Sequence, residues 1–363
     1  MFRDRPITVL VADDSAFMRT ALTRMIESDP GIKVVATARD GIEAVEKVLA
    51  VQPEVVTLDV EMPRLGGLEA LRQIMQKAPR PVIIVSSLTQ EGAEATLNAL
   101  DLGAFDCIPK QLSYACLDIV KIRQLLIDQI RAAAHMPGVT RAARPTAPLP
   151  PPDIAPLSGR PRAAIVAIGT STGGPKALQH LLPLLPGDLP VGVVVVQHMP
   201  IGFTGPFARR LDGLCKLSVR EAAQDDRVEP GGVLIAPAGW HLTIYRRSFS
   251  TCAVRLAKTP VGTLHMPSVD VMMRSVAEVF GASAMGVIMT GMGSDGCDGM
   301  TAIHRRGGWT LGQDESSCAV YGMPKSCAEL GILERLVPLR LIAQNIVWAT
   351  AEHSPTRAQK LAH

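Results

Sequence analysis

The sequence predicts an α/β protein of two domains, each built on a doubly wound parallel sheet. Three observations lead there. A chain of 363 residues exceeds one ordinary domain and suits two, each long enough to bury a core without metals or disulfides. Its residues are 47% hydrophobic but only 4% aromatic, an aliphatic excess suited to parallel strands covered on both faces. Short β-branched runs alternate with amphipathic segments, and parallel strands need helical crossovers of that kind.

In the first half, ITVLVA precedes a helical segment over 15–28, KVVATA one over 41–51, VVTLD one over 67–78, and PVIIVS one over 91–101. FDCI then leads to a last helix from about Leu112. From about Ala132 to Pro161 the text is dense in proline and alanine without apolar periodicity, which reads as an extended, semi-rigid linker. A second α/β pattern follows: AAIVAIG, a glycine-rich turn with Pro175 suited to a first helical turn, then VGVVVVQH and AMGVIMTG. In sheets of this kind functional groups collect at the carboxyl ends of the strands.

Bulk properties exclude several classes. A net charge of +3 with no basic tract argues against nucleic acid or an anionic membrane as partner. Seven scattered cysteines, an odd number and never in a C-x-x-C spacing, point to a reducing cytoplasm. The apolar run near the N-terminus is too short for a signal peptide or a membrane span, so a cytoplasmic protein without membrane insertion is expected.

Asp13 and Asp14 follow the first predicted strand, Asp59 ends the third, Ser86 ends the fourth and Lys110 follows the fifth. Adjacent carboxylates with one lysine suit a hard Mg²⁺ ion held beside an aspartate that accepts a phosphoryl group. Any one of these acids could be a solvated loop residue or a helix cap; jointly they are specific. The set ADDS, TLDVEMP, VSSLT and IPK resembles the response-regulator receiver family over residues 5–125. That resemblance implies a flavodoxin-like fold, phosphorylation of Asp59 by a histidine kinase, Mg²⁺ held by Asp13, Asp14 and Asp59, and Ser86 with Lys110 coupling phosphate to conformation. Two positions depart from the family pattern: Gln111 stands where a proline usually follows the lysine, and Cys107 where an aromatic often swings.

GTSTGG at 169–174 matches a GxSxG elbow that projects the Ser171 hydroxyl at a strand-to-helix turn. A phosphate-cradling loop is the alternative, but neither the G-x-x-x-x-G-K-[ST] nor the GxGxxG spacing is present. A serine needs a base oriented by a third group. His198 in QHMP and Asp295 in GMGSDG both follow predicted strands, whereas seven other histidines, among them His180, His241 and His265, compete for the base role.

The order Ser, His, Asp differs from that of ordinary α/β-hydrolases. The pattern GTSTGG, QHMPIGFT, APAGWH, HMPSVD and TGMGSDG resembles the catalytic domain of protein-glutamate methylesterases. The resemblance implies a Rossmann-like domain over 162–350, joined to the receiver by a linker over 126–161, with Ser171 as nucleophile, His198 as base and acid, and Asp295 as orienting carboxylate. It further implies Thr172 and Met292 backbone N–H groups as oxyanion donors, no cofactor for ester hydrolysis, and methyl-accepting chemotaxis receptors as substrate. In similar regulators an unphosphorylated receiver blocks the esterase site. Rival readings are a serine esterase or peptidase with another substrate, a non-catalytic receiver-plus-scaffold protein, and a DNA-binding regulator, which would need a helical recognition unit not seen here. The cysteines and the methionines between 266 and 292 read as packing residues.

Overall fold

The computed structural model describes residues 5–87, 89–110, 116–135 and 162–351, with the backbone alone at 90 and 116–121. The chain divides into two compact units, Met1–Ile154 and Ala155–His363.

The first unit runs β1 (Ile7–Ala12), α1 (Ala16–Ile26), β2 (Ile32–Ala38), α2 (Gly41–Val51), β3 (Val55–Asp59), α3 (Gly67–Lys77), β4 (Val82–Ser86), α4 (Gln90–Asp101), β5 (Asp106–Pro109) and α5 (Cys116–Ala134). Its parallel sheet has the order β2-β1-β3-β4-β5. The strand direction of build-up reverses between β1 and β3, so the crevice at their carboxyl ends is the topological switch point. The helix starts follow from local chemistry: Ser15, Asp40 and Thr89 each accept a backbone N–H from the first turn of α1, α2 and α4. Strands β3 and β4 are buried along their whole length, as expected of central parallel strands. Helix α5 continues to Ala134, well past residue 125. Residues 126–134, expected as the start of the linker, are therefore helix, while the expected helix start near Leu112, Gln111 and the remainder of the linker at 136–161 lie outside the described residues.

The second unit comprises β6 (Ile165–Thr170), α6 (Gly174–Leu181), β7 (Gly192–Gln197), α7 (Thr204–Asp212), β8 (Ser218–Glu221), β9 (Gly232–Ile235), β10 (His241–Arg246) and β11 (Cys252–Ala257). It continues with α8 (Val269–Phe280), β12 (Ala284–Ile288), α9 (Cys297–Arg305), β13 (Trp309–Gln313), α10 (Met323–Glu329), β14 (Arg335–Val337) and α11 (Leu339–Thr350). Seven parallel strands form the sheet β14-β13-β12-β6-β7-β9-β8, whose switch point lies between β6 and β12. The doubly wound prediction therefore describes both sheets. A separate antiparallel hairpin, β10-β11, was not anticipated; it is tied to α8 by the Ile244 N–H, which donates to Ser275 Oγ at 2.9 Å. One core joins Val194, Val196, Leu242, Val254, Met272, Met273, Val276, Ile288 and Met300, so methionines of the 266–292 stretch do pack as apolar filler. Among the described residues no helix is long and apolar enough to cross a membrane.

Candidate active site and phosphorylation site

In the first unit β1 delivers Asp13 and Asp14, β3 delivers Asp59 and the turn after β5 delivers Lys110. Ligand atoms of Asp13, Asp14 and Asp59 lie within 4.8 Å of one another. Lys110 Nζ pairs with Asp59 Oδ2 and stands 3.1 Å from the buried Asp13 Oδ2. Burial pushes the Asp59 carboxyl up to about 6, reinforced by the Asp13 charge and opposed by Lys110. Burial also pulls on Lys110, but the two carboxylates outweigh it and hold the ammonium above its ordinary range. Three converging carboxylates are the oxygen donor set a hard divalent cation takes, and Lys110 beside them offsets part of their charge. Ser86 is buried, and its hydroxyl donates to the Gly92 carbonyl at 3.2 Å, toward the start of α4. Cys107 is buried on β5, where burial pushes its thiol well above the ordinary value.

In the second unit the switch point collects Ser171 after β6, His198 after β7 and the loop after β12 that carries Asp295. The elbow turns between β6 and α6, and its left-handed residue is Gly173, at φ +75°, rather than the serine itself. Gly291 allows the β12 loop to approach: a Cβ there would lie 2.8 Å from Ser171 Cβ. The Ser171 N–H donates to the Thr290 carbonyl at 3.0 Å, and the His198 N–H to the Thr170 carbonyl at 3.2 Å. These bonds bring the serine, the histidine and the β12 loop onto one rim.

His198 Nε2 is 2.8 Å from Asp295 Oδ2, while its Nδ1 is buried with no hydrogen-bond partner among the described residues. Burial would raise the Asp295 carboxyl, but the hydrogen bond and charge of His198 with the N–H groups of Asp270 and Val269 hold it below the ordinary carboxylate range. The carboxylate also accepts from the Ser268 hydroxyl at 2.8 Å, Val269 N–H at 2.8 Å and Asp270 N–H at 3.0 Å. Thr172 and Met292 offer backbone N–H groups with no hydrogen bond among the described residues.

A family profile described as CheB methylesterase matches residues 166–346, and one described as response regulator receiver domain matches 9–119. The chain is 48% identical to "Protein-glutamate methylesterase/protein-glutamine glutaminase 1" of Oleidesulfovibrio alaskensis, over 94% of this chain and 98% of that one. It belongs to that family. A relative of the same name from Nitratidesulfovibrio vulgaris, numbered 2, is 47% identical over the same shares of the two chains. The crystal structure of the Thermotoga maritima CheB methylesterase catalytic domain is 38% identical, with a TM-score of 0.50, covering 51% of this chain and 97% of that one.

Within this methylesterase family member, sequence reasoning passed over several neighbours of the predicted residues. Gln197 ties the backbone carbonyls of Ser171 and His198, and Ser268 and Asp270 hold the Asp295 carboxylate, roles that the motif letters alone do not assign. Asp270 accepts the N–H groups of Gly296 and Gly299 at 2.9 and 2.8 Å, fixing the loop around Asp295; burial pushes its carboxyl up to about 6. Two of the competing histidines belong to the site. His265 stacks on His198, and His241 accepts the Ser268 N–H at Nδ1.

Proposed function

We propose that this chain hydrolyses glutamate γ-methyl esters on methyl-accepting chemotaxis receptors through Ser171, His198 and Asp295, under control of phosphorylation at Asp59. The observation that carries the catalytic half is the division of labour on His198: Nε2 is committed to Asp295, which leaves the unpartnered Nδ1 for Ser171. Asp295 fixes the tautomer with the proton on Nε2 and stabilises the imidazolium that forms.

The steps follow. Ser171 Oγ attacks the γ-carbonyl carbon as His198 Nδ1 takes its proton. The oxyanion forms against the Thr172 and Met292 N–H groups, a role closed to the Ser171 N–H because it already bonds Thr290. The carbon–methoxy bond breaks, methanol leaves with the proton from Nδ1, and a γ-glutamyl ester of Ser171 remains. Water attacks that ester, His198 takes the water's proton and returns it to Ser171, and a free glutamate is released. The same steps on a receptor glutamine expel ammonia, in keeping with the second activity in the relatives' name.

In the receiver unit, Asp13, Asp14 and Asp59 would hold Mg²⁺, which when bound offsets negative charge on the transferring phosphoryl group. Asp59 would accept the phosphoryl group from a chemotaxis histidine kinase, Lys110 would pair with it, and Ser86 would leave the Gly92 carbonyl to donate to it. Such a regulator works in the cytoplasm, where receptor tails and kinase meet.

Methanol release from membranes carrying methyl-labelled receptors tests both halves, with and without a small-molecule phosphodonor plus Mg²⁺. Release is expected to vanish in Ser171→Ala and to lose its response to phosphodonor in Asp59→Ala. Undiminished release by folded Ser171→Ala would refute the nucleophile; a phosphodonor response in Asp59→Ala would refute the switch.

A further inference from the structure

We propose that His265 is a positioning residue for the reaction: its ring holds the His198 imidazole in the orientation that keeps Nε2 on Asp295 and Nδ1 facing the nucleophile. This rests on the reading of His198 as the base. The two rings stack with centroids 3.9 Å apart and planes 13° from parallel.

The placement is local and directed. Val261 and Leu264, just before His265, are exposed, whereas His265 turns inward against a His198 side chain that is only 8% exposed. The segment is anchored just after His265: the Gly239 N–H donates to the Met266 carbonyl at 3.0 Å, and the Ser268 N–H donates to His241 Nδ1 at 3.2 Å. The same six residues, HMPSVD, therefore grip both partners. His265 covers the face of the base, while Ser268 Oγ and the N–H groups of Val269 and Asp270 fix the carboxylate.

An imidazole held by one hydrogen bond at Nε2 can still swing about that bond. A ring lying flat on its face resists the swing and excludes water from that face. The stacked partner must be uncharged, because a second imidazolium would oppose the positive charge His198 gains at each proton transfer. Burial, with the His198 charge adding to it, pushes His265 down to about 4, against the opposite pull of Asp295. At neutral pH His265 is thus a flat aromatic surface, and its nitrogen chemistry is dispensable.

That last point separates positioning from acid–base chemistry. In the full-length chain with phosphodonor and Mg²⁺, His265→Ala should lower kcat for methanol release by about tenfold or more, with KM within about twofold. His265→Phe, which restores a flat ring, should return kcat to within about threefold of the parent. Nitrogen-15 NMR relaxation of the His198 ring should show a rigid imidazole in the parent and in His265→Phe, and a mobile one in His265→Ala. An unchanged kcat in His265→Ala, or equal losses in the Ala and Phe variants, would overturn the proposal. So would an equally rigid His198 ring in all three proteins, whatever their activity. His198→Ala runs in parallel: parent-level release there would overturn the base assignment itself, and the NMR comparison would still decide whether His265 orders the ring.

Discussion

The side-chain amide of Gln197 donates to the Ser171 carbonyl at 3.0 Å, and the same nitrogen donates to the His198 carbonyl at 2.8 Å. One buried amide thus ties the backbone of Ser171 to that of His198, across the paired ends of β6 and β7.

Gln197→Leu removes the side-chain donor of the His198 carbonyl and leaves the Ser171 carbonyl only the Gly174 N–H, so the second unit should lose about 1–3 kcal/mol of stability and kcat should fall with it. Gln197→Glu, which sets a carboxylate against both carbonyls, should do worse on each count. Thermal unfolding and methanol release of the two variants measure this.

Asp295→Asn should lower kcat by roughly three to four orders of magnitude with little effect on KM, because an amide can favour the wrong tautomer of His198. A carboxylate held below its ordinary range contributes stability that is present above the unfolded value and lost as pH falls through the folded one. The parent should therefore lose that contribution only in strong acid, and Asp295→Asn should lack this acid-dependent component in urea titrations over pH.

For Asp59 the sign is opposite. Its folded carboxyl, raised to about 6, binds a proton that the unfolded chain has already released, so the contribution is present below the ordinary carboxylate value and lost as pH rises through 6. Asp59→Asn should make the receiver unit about 1–2 kcal/mol more stable than the parent at pH 7.5, with the gap closing toward pH 4. Urea unfolding at the two pH values is the check.

Gly173→Ala should be poorly tolerated: it forces a side chain into the left-handed region, and the new Cβ would lie 2.4 Å from that of Ala319. Gly293→Ala shares the positive φ, at +80°, but meets no atom within 4 Å. It should cost only about 1 kcal/mol, whereas Gly173→Ala should also abolish turnover. Unfolding and kcat measured on both variants separate strain from collision.

Removing residues 1–160 should raise basal methanol release if the receiver restrains the esterase unit. A folded truncated protein whose rate equals that of the unphosphorylated full chain would count against restraint.

The acids and the serine elbow were legible because each sits at the end of a continuous aliphatic run, and strand ends are where parallel sheets gather polar groups. The pairing of Ser171 with His198 and Asp295 also came from strand-end placement, helped by the family resemblance. The β10-β11 hairpin was not legible: its alternating, partly exposed residues lack the strong apolar runs of the central strands. Nor were the supports of the site, because Gln197, His265, Ser268 and Asp270 act through distances that no local spacing encodes.

By itself, then, the sequence determined two α/β units and named the acids of the first sheet's rim and the candidate nucleophile, base and orienting carboxylate of the second, since periodicity and strand-end chemistry are written along the chain. Tertiary structure alone decided which nitrogen of His198 faces Asp295, which of the described histidines flank the site, and which backbone donors are already engaged. Those are outcomes of packing between segments up to 120 residues apart, fixed only when β6, β7 and β12 line up in one sheet.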